Sequence, residues 1–176
     1  MKRFFASFCA LFLLLFLLPS LALTSGQAPL LQGQDAGEET YYLVEDAETG
    51  EVMKLSPLTY IKGVVAAEMP LSYHTEALKA QAVAAHSYAL YRISQKLSGG
   101  DGQGEAYLST DPAECQGYLD EEGRREQWGS QFDAYEAKLT EAVSAVIDKV
   151  LVYDGEPVMA MFHAVSGGKT EDAANL

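Results

Sequence analysis

The sequence predicts an α+β fold in which a short helix ending in a carboxylate packs with a longer helix against short antiparallel β-hairpins. In Tyr60–Pro70 the residues Ile61, Val64, Val65 and Glu68 recur at helical spacing. Residues 75–97 carry a second apolar arc of the same period, dense in alanine. Segments 41–55 and 150–163 read as paired strands about polar turns, and Asp154-Gly155 is the strongest turn signal in the chain. The 176 residues, 48% hydrophobic and 21% charged, suffice for one globular domain. A formal net charge of −13 argues against nucleic acid, because nothing would neutralise phosphates.

The chain opens Met-Lys-Arg and runs without charge from Phe4 to Leu18, followed by a small-residue Ser20-Leu21-Ala22. Residues 1–23 therefore read as an export signal, or, since the apolar stretch approaches the ~20 residues of a membrane span, as a retained N-terminal anchor. Either places the remainder outside the cytoplasm. Residues 24–40 are polar and glycine-rich and read as a flexible linker. Tyr41–Val44 and Glu51–Leu55 form a predicted hairpin, and Ser56-Pro57 opens the first helix.

Pro70 forbids helix at Met69 and beyond, which puts Glu68 in the last helical turn. The helix dipole disfavours an anion there, and Val, Ala and Met neighbours offer little solvation. Both effects suit a carboxylic acid that must hold a proton near neutral pH. The same pattern would also serve a surface Glu on an amphipathic helix. The second helix is predicted from Thr75, as N-cap, to about Leu97. Leu78, Ala82, Val83, Ala85, Ala89, Leu90, Ile93 and Leu97 share one arc, with His86 near its middle. The alanines permit close approach of the Glu68 helix.

Residues 99–104 form a glycine-rich loop, and 128–148 a packing helix with Phe132, Tyr135, Leu139, Val143 and Val146 at helical spacing. The final hairpin is expected to carry His163 and the loop Ser166-Gly167-Gly168-Lys169-Thr170 to one edge. Gly-Lys-Thr ends a P-loop pattern, but the required earlier glycine is His163, which excludes it. No nucleophile elbow surrounds Ser166, so a substrate-contact loop is the better reading than a serine hydrolase.

Tyr60–Pro70, continuing as Glu76–Ala89, resembles the signature of the stage II sporulation protein D family, close to Y-L-K-G-V-V-A-x-E-M-P and then E-A-L-K-A-Q-A-V-A-A-R-T-Y-A. Phe162–Ala173 is similar to the family's S-x-G-G-x-T-E motif, and Cys115-Gln116-Gly117-Tyr118 to its short Gln-x-Tyr strand. The resemblance implies a lytic transglycosylase acting on peptidoglycan glycan strands stripped of stem peptides, with Glu68 as catalytic acid/base. It implies substrate contacts from His86, Gln116, Tyr118, His163, Ser166, Gly167, Gly168 and Lys169. Relatives in the superfamily act instead as enhancers of cell-wall amidases, so an amidase and other sporulation membrane proteins are the implied partners. The implied setting is the outer face of the cell membrane in a Gram-positive spore-former.

His86 stands where the family carries Arg; it is either a substrate or carboxylate contact, charged only part of the time, or a hydrogen-bonded core histidine. Some members bind zinc near Cys115 through a His and two Cys. This sequence offers Cys115 alone, so neither metal nor another cofactor is expected. Members continue past the position of Leu176 with further strands. Residues 41–176 are thus expected to form a partial domain, weakly active or inactive by itself.

Overall fold

The structure, a computed structural model, describes residues 40–99, 106–165 and 167–170. The expected leader, nearly all of the linker, and Ser166 lie outside the described residues. Among the described residues the architecture is α+β: one long helix and three shorter ones around one core, with a three-stranded sheet and a separate small hairpin. Among the described residues no helix is long and apolar enough to cross a membrane.

Strands β1 (Tyr42–Glu45) and β2 (Val52–Leu55) pair antiparallel, with Tyr42 opposite Leu55 and Glu45 opposite Val52. Their turn is fixed by Asp46, whose Oδ1 accepts the amides of Glu48 and Thr49, and by Gly50 at φ +72°. A third strand, β3 (Leu108–Ser109), joins β1 in parallel, a pairing the sequence did not announce. Tyr42 and Val44 face the core, and this sheet covers only part of the helices.

Helix α1 (Pro57–Glu68) starts as expected: Ser56 accepts the Thr59 amide and Pro57 occupies the first turn. It stops where Pro70 requires, with Met69 extended at φ −135°, ψ 137°. Tyr60, Ile61, Val64 and Val65 have no exposed surface. Burial of each such side chain contributes about 1.5–3 kcal/mol relative to exposure.

Helix α2 (Thr75–Ser98) packs on α1 and on the later helix Phe132–Ser144, and buries Leu78, Ala82, Ala85 and Ala89. Leu97, placed on the same arc by period, is 54% exposed. The N-cap is His74, one residue earlier than expected, with Nδ1 accepting the Glu76 amide.

Of the helix expected over 128–148, Phe132–Ser144 is α-helical, and a further helix that the sequence reading did not place precedes it. Helix α3 (Glu121–Trp128) is capped by Asp120, which accepts the Gly123 amide at 2.7 Å. It ends at Gly129, φ +51°, a conformation closed to most side chains, and a 3₁₀ turn leads into α4 (Phe132–Ser144). Helix α4 buries Phe132, Leu139, Ala142 and Val143 against both α1 and α2. The Glu68 helix packs on α2 and α4 and also touches the β1–β2 hairpin, where the Tyr42 and Tyr60 rings meet edge to face.

The last hairpin turns at Asp154-Gly155 as predicted, with φ +50° and +84°. Its strands are short, β4 (Val152–Tyr153) and β5 (Glu156–Pro157). The second strand ends at Pro157, so no strand carries His163 to a sheet edge.

Candidate active site

Glu68 occupies the last turn of α1 at the border of the buried face, half-buried rather than enclosed. Its Oε1 accepts the Gly117 amide at 3.0 Å, a hydrogen bond that suits a carboxylate and fixes where it points. Among the described residues it has no cationic partner.

Gly117 belongs to residues 115–118, for which the family resemblance implied a short strand. They form none: the Gly117 and Leu119 amides donate to α1, and the Cys115 amide donates to the Asp111 carbonyl. The Leu119 amide donates to the Gly63 carbonyl at 3.1 Å. Tyr118 lays its ring parallel to that of Tyr60, 5.8 Å between centroids and 11° between planes. This strap fits because of two glycines. A Cβ on Gly63 would lie 2.2 Å from Tyr118 Cε2, and one on Gly117 would lie 3.1 Å from Glu68 Oε1. The signal was present for the first, since a glycine inside a helix costs about 1 kcal/mol and needs a packing reason.

On the far side of Glu68, Lys138 of α4 donates to the carbonyls of Leu71 and Tyr73, fastening the turn that follows.

The other expected site residues fall in different places. Gln116 is 4% exposed, and its amide donates to the Ala85 carbonyl while lying against the Tyr60 hydroxyl. Tyr118 is half-buried in the strap. His86 is 7% exposed, with Nε2 2.8 Å from the Tyr42 hydroxyl. Burial keeps that hydroxyl protonated, and the Lys149 and Ile147 carbonyls beside the ring call for a proton on Nδ1, so the hydroxyl is the donor and Nε2 the acceptor. The remaining proton then sits on Nδ1, toward the carbonyls of Lys149 and Ile147, though not in full hydrogen-bond geometry. Burial lowers the imidazole below its usual range, more than those carbonyls raise it. As placed, His86 and Gln116 are core groups, hydrogen-bonded to the fold and closed to solvent.

His163, Gly167, Gly168 and Lys169 are exposed in the segment after β5. Among the described residues no hydrogen bond or ion pair joins His163 or Lys169 to the Glu68 cluster. Cys115 is a half-buried free thiol, and no three His, Cys, Asp or Glu side chains converge as a metal-holding group among the described residues.

The fold and site define an α+β domain that presents one carboxylate at a helix end, gripped by a main-chain amide from a strap. Residues 45–153 match the family described as "Stage II sporulation protein", and the chain belongs to that family. It is 30% identical to the stage II sporulation protein D of Bacillus subtilis strain 168, over 98% of this chain and 56% of that protein. Similarity to the protein of the same name from Bacillus amyloliquefaciens is 35% over 65% of this chain and 33% of that one. A protein of Brachyspira hyodysenteriae is 31% identical over 71% of the chain and 30% of its own length. The chain thus spans about half the length of the first relative and about a third of the other two.

Proposed function

We propose that this chain is a lytic transglycosylase of sporulation, acting outside the cytoplasm on peptidoglycan glycan strands that have lost their stem peptides. The observation that carries the reading is the Glu68 carboxylate, half-buried at the α1 terminus with one oxygen held by Gly117 N–H and no cation to neutralise it among the described residues. Most glycosidases employ two carboxylates. One suffices here, because the nucleophile comes from the substrate. Glu68 gives its proton to the glycosidic oxygen as the bond from the anomeric carbon to that oxygen breaks. The C6 hydroxyl of the same sugar attacks the anomeric carbon, and its proton passes to the Glu68 carboxylate. The acid is regenerated, a 1,6-anhydromuramyl end forms, and no water is consumed.

The test is the product released from peptide-free glycan strands. Anhydromuramyl ends are expected from the wild type, and Glu68→Gln should lower their formation by about 10²–10⁴-fold, as loss of a general acid/base does. Gln keeps an oxygen for the Gly117 amide, so folding and glycan binding should persist. Cleavage at the wild-type rate by well-folded Glu68→Gln protein would overturn the assignment. Glycan binding without anhydromuramyl ends, in the wild type, would favour a non-enzymatic enhancer of a cell-wall amidase.

A further inference from the structure

Arg124 is 3% exposed, and a buried guanidinium costs several kcal/mol unless every donor that is turned inward finds an acceptor. Its partners are specific. Nε and Nη2 form a two-pronged pair with Glu136 of α4, at 3.0 and 3.3 Å. Nη1 donates to the Leu119 carbonyl at 2.8 Å. Glu136 in turn pairs with Lys62 of α1, the residue before Gly63. Burial raises the Glu136 carboxyl, but the hydrogen bonds from Lys62 and Arg124 outweigh it and hold the group below the usual carboxylate range.

One charge cluster therefore ties together α1, α3, α4 and the strap. Leu119 is gripped on both sides of its main chain: its amide donates to Gly63 and its carbonyl accepts from Arg124. Two residues earlier, Gly117 N–H sets the Glu68 carboxylate. An apolar residue would fill the position of Arg124 with less desolvation cost, so packing alone does not account for it. What Arg124 adds is a directional hold on the strap.

We propose that Arg124, oriented by Glu136, is a positioning residue for Glu68, acting through Leu119 and the Gly117 amide. The inference rests on the reading of Glu68 as the acid/base, yet its first readout is independent of cleavage. In ¹⁵N–¹H spectra of the full chain, the Gly117 amide proton should shift as Glu68 ionises, and that step should vanish in Glu68→Gln, which identifies the probe.

In Arg124→Met the step should be lost while the amides of α1 and α2 stay in place and the melt stays cooperative. Glu136→Gln keeps the shape but weakens the grip, and should diminish the step. Arg124→Lys, which keeps the charge but not the two-pronged pair with Glu136, should restore part of it. In glycan cleavage the expected signature is a fall in kcat, of about 10²-fold for a displacement near 1 Å, with KM little changed. A wild-type Gly117 response in well-folded Arg124→Met and Glu136→Gln would overturn the proposal. Should Arg124→Met fail to fold, Glu136→Gln decides by the same criterion. Absence of cleavage in the wild type would count against the transglycosylase reading alone, because the amide measurement still tests the strap.

Discussion

Gly63→Ala puts the strap's docking to a test whose sign is informative. In an isolated helix the change would be favourable by about 1 kcal/mol, since alanine is the better helix former. In α1 the added Cβ would meet three atoms of the Tyr118 ring at 2.2, 2.5 and 2.9 Å, whereas ordinary contact begins near 3.4 Å. The ring must retreat by about an ångström, and no rotation of a methyl group relieves that. Overpacking of this kind costs about 1–3 kcal/mol, and the stacking on Tyr60 contributes about 0.5–1.5 kcal/mol more to be lost. Net destabilisation of about 1–3 kcal/mol follows. Denaturant unfolding of four proteins measures it: wild type, Gly63→Ala, Tyr118→Ala and the double variant. With the ring gone, Gly63→Ala should turn neutral or stabilising, because only the helix preference is left. A stabilising Gly63→Ala in the wild-type background would refute the reasoning.

Tyr42→Phe removes the donor to His86 Nε2 and should cost about 1–3 kcal/mol in a denaturant melt, the loss for a buried acceptor left unpaired. His86 should also give the fold an acid limb. Its folded pKa lies below the ordinary 6.5, so the unfolded chain binds the proton first; stability present above 6.5 is lost as pH falls through the folded value. His86→Gln should flatten that limb in unfolding curves taken over this range, and an unchanged slope would show that another group carries it. Ser87→Ala strips the acceptor from the Leu151 amide, now held at 2.8 Å, and should cost about 1 kcal/mol with faster hydrogen exchange confined to the start of the last hairpin.

What was legible in the sequence was local. Pro70 ended α1 at Glu68, Ser56-Pro57 began it, and Asp154-Gly155 made its turn, each through residues within a few positions of one another. The grip on Glu68 is not of that kind: Gly117 lies 49 residues away, and no period or cap links the two. The resemblance implied a strand for the Gln-x-Tyr segment, yet it becomes a strap, with the Gly117 and Leu119 amides bonded to α1. Gly129, just after the Glu121–Trp128 run, carries the C-terminal signal of that helix, which the sequence reading did not place. Arg124 gave no signal, as an Arg among Glu and Gln reads as a solvated helix face until α4 folds over it.

The two glycines explain why the carboxylate is held by main chain and not by a side chain. At Gly63 the Tyr118 ring occupies the space a Cβ would take, and at Gly117 the Glu68 oxygen stands 3.1 Å from where one would be. Helix and strap therefore meet backbone to ring and backbone to carboxylate. A side-chain donor such as Lys would reach Glu68 with four rotatable bonds and a full charge. It would hold the group ionised and leave its direction loose. A peptide N–H anchored at Leu119 on one side and stacked through Tyr118 on Tyr60 brings direction with only a partial charge. A group that must carry a proton at one step and release it at the next is better served by the second arrangement. If Glu68 is the acid/base proposed above, a cation introduced beside it should lower glycan cleavage.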